Sequence, residues 1–297
     1  MISPLSFWKS EKVSSLLGEF YESNFKKAGV EEGIGREIIR TAFELRNRES
    51  EESLREIVNA LFLKAKTNLT KFSSEIDKLS LIDFTNVNSI ADIGANKLDT
   101  LNKIARFYPH IEKLVGIDIN PPFKISKYKD KIKYYQVQSD STSYPLGKNC
   151  FDVINFQFSL HHFQSEKQIR EVILNCKNYL KRNGRLIIWE ESFENEINLK
   201  DLVAGNNSLG IRTDFNLTKK FYDLSREKRF EFIIVNDWLI NVNNPHMQWT
   251  GLYKDRDEWI YLFNSCGFTC IKKTNLGLRV SGHIKSGVQI LAEFALV

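Results

Sequence analysis

The chain has 297 residues, 42% of them apolar and 27% charged, which is enough apolar material for a sizeable core and not the composition of a disordered chain. No apolar run reaches the roughly 18 residues of a membrane-spanning helix, and the N-terminus lacks a basic start followed by an apolar stretch, so a cytoplasmic protein with no membrane partner is predicted. The net charge of +5, from 42 basic and 37 acidic residues, permits an anionic partner such as RNA without demanding one.

Four cysteines, at 150, 176, 266 and 270, are too few and too scattered for a disulfide scaffold. Cys266 and Cys270 have metal-ligand spacing, but no second Cys or His pair lies nearby. Reduced thiols and no metal are expected.

Residues 1–80 read as a helical module. Apolar residues recur at helical spacing over 13–25, again over 34–45, and from Leu54 through Ile57, Val58, Leu61 and Phe62. The texture changes near residue 88, where short apolar runs begin to alternate with helical patterns. Strands are predicted at 89–93, 114–117, 132–137 and 151–156. A helix is expected over 99–107, and another opens at Ser165, which forms a capping box with Gln168. Asn183-Gly184 turns the chain into a fifth strand at 185–189. The stretch 193–254 is irregular and rich in Asn, Phe and Trp, and reads as an insertion or lid. A helix at 257–266 and strands at 268–271 and 289–297 complete the chain. Alternation of strand and helix predicts an α/β domain over 81–297, built on a parallel sheet covered on both faces.

Chemistry concentrates at the predicted strand ends. Asp92-Ile-Gly94-Ala-Asn96 falls where the first strand meets the first helix of the sheet, the point at which open α/β sheets bind ligands. Asp118 ends the second strand, 26 residues on, where a carboxylate accepts the hydroxyls of a ribose. Asp140 and Ser141 follow the third strand, within reach of an adenine amino group. A pyrophosphate cofactor is disfavoured, because the G-x-G-x-x-G and P-loop patterns are both absent. The acidic turn suits a cationic ligand instead.

These residues, with Phe151-Asp-Val-Ile154, Leu160-His-His162 and Leu180-Lys-Arg-Asn-Gly-Arg-Leu-Ile-Ile188, resemble the class I S-adenosylmethionine-dependent methyltransferases over about residues 88–297. The resemblance implies a Rossmann-like fold with a seven-stranded, mostly parallel sheet, and S-adenosylmethionine as cofactor. It implies that Asp92, Gly94 and Asn96 line the methionine end, Asp118 holds the ribose, and Asp140 with Ser141 holds the adenine. Gln157 and Phe158 would lie under the sulfonium. The chain departs from the family at Asn96 and Leu98, where glycine is usual.

The segment Gln157-Phe-Ser-Leu-His161-His162-Phe163 is similar both to messenger-RNA cap guanine-N7 methyltransferases and to many small-molecule enzymes. By that likeness His161 and His162 sit at the acceptor, either positioning a base or removing a proton. Glu191, Trp249 and Tyr253 are further substrate candidates, the two aromatics as stacking surfaces for a base. Three functions stay open: an RNA methyltransferase of the cap type, a small-molecule O- or N-methyltransferase, and a methyltransferase-like binding subunit that has lost catalysis.

Overall fold

The computed structural model describes residues 3–69, 78–121, 128, 130–211, 213–244, 249–280 and 287–296. Residues 1–2 and 70–77 of the predicted N-terminal module and Val297 of the last predicted strand lie outside these.

Seven strands form one sheet: β1 (Ser89–Ile93), β2 (Lys113–Asp118), β3 (Ile132–Gln136), β4 (Phe151–Gln157), β5 (Leu180–Glu191), β6 (Phe268–Leu278) and β7 (Val288–Leu296), in the order β3-β2-β1-β4-β5-β7-β6. β1 pairs in parallel with β2 and with β4, β2 with β3, and β4 with β5. β1 is buried along its whole length, as befits a strand covered on both faces. The order reverses between β1 and β4, which opens a crevice at the carboxyl ends of these two strands. This is the Rossmann-like class I fold that the resemblance implies, built on the parallel sheet that the alternation of strand and helix predicts.

The helices are α1 (Glu11–Lys27), α2 (Ile34–Leu45), α3 (Glu51–Leu69), α4 (Asp99–Phe107), α5 (Glu166–Tyr179), α6 (Leu199–Ser208), α7 (Phe215–Tyr222), α8 (Arg226–Ile240) and α9 (Arg256–Ser265). The chain divides into two compact units. One holds residues 78–190, 254–274 and 290–297. The other joins 1–77 to 191–253 and 275–289, so the N-terminal helices and the presumed lid fold as one helical unit.

Two local expectations change. The stretch 193–254 is not irregular: it carries α6, α7 and α8. Its longest helix hides from a periodicity search because residues 232–239 are all buried, so no polar stripe marks an outer face. Asn183-Gly184 does not turn the chain into a new strand. Phe151 pairs with Leu180 and Val153 with Arg185, so residues 181–184 bulge out of the strand pairing that already began at Leu180.

The helical unit has an aromatic core. Phe20 of α1 meets Phe232 of α8 edge-on at 5.9 Å, and Phe25 meets Phe62 of α3 at 6.2 Å. Two buried charges serve helix ends. Glu22 accepts the backbone N–H groups of Gly33, Gly35 and Arg36 at the start of α2. Arg55 donates to the carbonyls of Asn241 and Val242 just past α8, and is paired with Glu51 at 2.9 Å. α1 and α2 approach so closely that a Cβ on Gly35 would lie 2.4 Å from the Glu22 nitrogen. Gly35→Ala should therefore cost about 1–3 kcal/mol, read as a lower denaturant midpoint; an unchanged midpoint would show that the helices are not packed this way.

Candidate active site

The next-to-last residue of β1 is a buried carboxylate. Asp92 is 2% exposed and accepts a hydrogen bond of 2.7 Å from the Asn155 side-chain amide on the neighbouring β4. Burial lifts its carboxyl from the usual range to about 7, and the Asp118 charge adds to the rise, while the Asn155 bond opposes it. The chain then bends at Gly94, whose φ of 85° favours glycine. A Cβ there would strike Ser159 at 2.3 Å, so only glycine lets the segment after β4 close on this turn. Ser159 fixes that closure by donating to the Ile93 carbonyl at 2.9 Å.

The turn is carried over β2. The Gly94 and Ala95 N–H groups both donate to the Ile117 carbonyl. Asp118 accepts the Asn96 N–H at 2.8 Å on one oxygen, and the Asn120 N–H at 2.9 Å on the other. The same carboxylate that the sequence assigns to a ribose thus also holds the turn after β1. Asn96 takes φ 42° and Leu98 φ 61°, the left-handed backbone for which glycine is usual. Asn tolerates this conformation better than most residues. Leu98 is strained, but its side chain is 3% exposed and packs over β2: a Cβ on Gly116 would lie 2.6 Å from its Cδ2. The leucine therefore fills the space above Gly116. Among the described residues, four non-glycine residues have positive φ, and three of them, Asn96, Leu98 and Phe158, fall at these strand ends.

Past β3 the chain turns through Gln138–Ser141, with Asp140 exposed and Ser141 half-buried. Gln168 of α5 holds this turn by donating to the Ser139 and Ser141 carbonyls at 2.8 and 3.2 Å. That role corrects the predicted capping box. Ser165 does accept the Gln168 N–H, but the Gln168 side chain reaches the Gln164 N–H and the 139–141 turn instead of Ser165.

At the end of β4, Gln157 accepts from Thr100 in the first turn of α4 at 2.7 Å. Phe158 leans toward Trp189 with ring centroids 6.2 Å apart. Next comes a short turn of helix, Leu160–His162. His161 is 1% exposed, and its Nδ1 lies 2.5 Å from the Glu190 carboxylate; His162 is half-buried, its ring 4.0 Å from that of His161. The sequence gives no sign of Glu190, because Trp189-Glu-Glu191 presents two adjacent carboxylates and nothing fixes which one faces the histidines.

The other substrate candidates belong to the helical unit. Glu191 is buried there, with the Asn236 amide 3.5 Å away. Trp249 and Tyr253 are core members of that unit, and the Tyr253 hydroxyl donates to Asp237 at 2.6 Å.

The donors and acceptors at the strand ends fit S-adenosylmethionine: a bare glycine turn, an acidic β1 end and a carboxylate at the β2 end. Residues 91–188 match the methyltransferase domain family. They form a class I, S-adenosylmethionine-dependent methyltransferase domain. The chain is 28% identical over 113 residues to demethylmenaquinone methyltransferase from Thermotoga maritima, a match spanning 38% of this chain and 47% of that protein. Among solved structures, an S-adenosylmethionine-dependent methyltransferase from Aquifex aeolicus aligns over 70% of this chain and 82% of its own, at 11% identity and a TM-score of 0.42. The N-methyltransferase NodS from Bradyrhizobium japonicum, in complex with S-adenosylhomocysteine, aligns over 71% and 78%, at 15% identity and a TM-score of 0.41. All four cysteines are unbridged, and no helix among the described residues is long and apolar enough to cross a membrane.

Two outcomes test this site. Asp118→Ala removes charge-assisted hydrogen bonds worth about 1.5–3 kcal/mol each, so calorimetry should show S-adenosylmethionine affinity falling at least about tenfold; equal affinity would remove Asp118 from the site. Asp92 binds a proton up to about pH 7, whereas a bound cation favours its charged form. Affinity should therefore rise about tenfold from pH 6 to pH 8 and then level off. The sign for folding is opposite. The folded carboxyl keeps its proton to higher pH than the unfolded one, so stability is lost as pH rises toward 7. Asp92→Asn keeps the Asn155 bond and removes that loss, so it should raise Tm at pH 8 while weakening cofactor binding.

Proposed function

We propose that this chain methylates a small molecule at a group that gives up a proton, an oxygen acceptor foremost, with His161 as the catalytic base. The observation that carries this reading is the place of His161: nearly solvent-free, one turn past β4, in the segment whose Ser159 closes on the Gly94 turn. A base held away from bulk water beside the cofactor turn suits proton removal from a small acceptor. A cap guanine would instead stack on accessible aromatic faces, and its N7 has no proton to lose. Trp249 and Tyr253, the candidates for such stacking, are core residues of the helical unit. The demethylmenaquinone methyltransferase likeness also favours a small molecule.

In this reading Asp92, Gly94 and Asn96 hold the methionine end of the cofactor, Asp118 its ribose, and Asp140 and Ser141 its adenine. Gln157 and Phe158 shape the floor beneath the sulfonium. When bound, S-adenosylmethionine supplies an electrophilic methyl group. The chain's own work is to orient the acceptor and to accept its proton on His161. His162, beside His161, helps place the acceptor.

The direct test offers methyl-labelled S-adenosylmethionine together with capped RNA, uncapped RNA and a small-molecule extract. Label should enter the small-molecule pool; label in the capped RNA alone would overturn the reading. On the labelled acceptor, His161→Ala should lower kcat by about 10²–10⁴ and abolish the rise of rate with pH that deprotonation of a catalytic base produces. Full activity in that variant would place the base elsewhere.

A further inference from the structure

Glu190, the next-to-last residue of β5, is fully buried, and both of its carboxylate oxygens are engaged. Oε1 accepts the backbone N–H groups of Ser159 at 3.0 Å and Leu160 at 2.8 Å. Oε2 faces His161 Nδ1 at 2.5 Å. One side chain from β5 thus ties down three consecutive residues of the turn after β4. A buried carboxylate is costly unless such bonds compensate it, and these partners come from a segment that also seals the cofactor turn through Ser159.

We infer that Glu190 is a positioning residue that sets the tautomer of His161. An ionised carboxylate only accepts hydrogen bonds, so the ring nitrogen facing it carries the hydrogen. In the neutral ring the lone pair then lies on Nε2, the nitrogen on the far side from Glu190. That is the arrangement a proton-accepting histidine needs. When Nε2 takes a proton, the imidazolium forms against a carboxylate already in contact with it, so charge develops where it is compensated. Glu190 also fixes the ring's direction, because the backbone it holds is the backbone that carries His161. The inference rests on the reading of His161 as the base, but its first consequence, the tautomer, is measurable without any acceptor.

The variant that separates positioning from mere support is Glu190→Gln. Its amide oxygen still accepts the Ser159 and Leu160 N–H groups, so the turn keeps its anchor. Its NH₂ now faces His161 Nδ1 and must donate, which forces the hydrogen onto Nε2. Nitrogen-15 spectra of the imidazole should show the Nδ1–H form in the wild type and the Nε2–H form in Glu190→Gln, with matching Tm values for the two proteins. With the acceptor identified above, Glu190→Gln should lower kcat by about 10²–10⁴ with KM for S-adenosylmethionine unchanged. Glu190→Asp, which keeps the charge on a shorter arm, should recover part of that loss and part of the pH dependence. An Nε2–H tautomer in the wild type, or the wild-type tautomer and full kcat in Glu190→Gln, would overturn the inference and leave Glu190 as a backbone anchor alone. If the tautomer shifts as described while His161→Ala keeps full activity, Glu190 still sets the ring and it is the assignment of His161 as base that fails.

Discussion

The site depends on how one strand ends. β1 stops one residue past a buried carboxylate, turns at a glycine with no room for a Cβ, and is covered by the segment that leaves β4. Asp92 is held by Asn155 from β4, Gly94 is closed by Ser159, and the next residues hang from Ile117 and Asp118 of β2. Because the three strands run parallel, their carboxyl ends open on the same side, where the strand order reverses. The turn after β1 is therefore shaped by hydrogen bonds to both neighbouring strands, from the Asn155 and Ser159 side chains on the β4 side and to the Ile117 carbonyl and Asp118 carboxylate of β2.

This arrangement stores strain and unfavourable charge. Asn96, Leu98 and Phe158 occupy left-handed backbone, which costs of order 1 kcal/mol or more each. Asp92 is buried, and its carboxyl is lifted accordingly. Such costs persist only where the surrounding fold over-determines the geometry, as the fully buried β1 and the mostly buried β4 do here. A cationic ligand beside Asp92 would relieve the charge term directly. The departures from glycine at 96 and 98 are accommodated in the same way: the asparagine tolerates the turn, and the leucine's side chain is taken up by Gly116 on β2.

Much of this was legible from residue order, and the reasons are local. β1, β2 and β4 are short apolar runs, so their existence could be placed, β1 to the residue and the other two to within one residue at each end. α4 and α2 follow their apolar stripes to the residue. What escaped has physical causes. α8 is buried on successive residues and shows no stripe. The bulge at 181–184 looks like a turn because Asn-Gly serves either purpose. Gln168 has the spacing of a capping box, yet a more distant pair of carbonyls competes for its amide. Glu190 and Glu191 are neighbours on a strand, so they point to opposite faces, and the sequence does not say which face meets His161. The tertiary packing chooses Glu190, while Glu191 keeps company with Asn236 in the helical unit.

We propose that the carboxyl ends of β1, β2 and β3 form the S-adenosylmethionine site. Hydrogen exchange of the intact chain with and without saturating S-adenosylhomocysteine tests it most directly. Slowed exchange is expected at the backbone amides of residues 94–98, 118–120 and 138–141, the turns that would surround the ligand. Binding accompanied by protection confined to other segments, with these three turns unchanged, would contradict it.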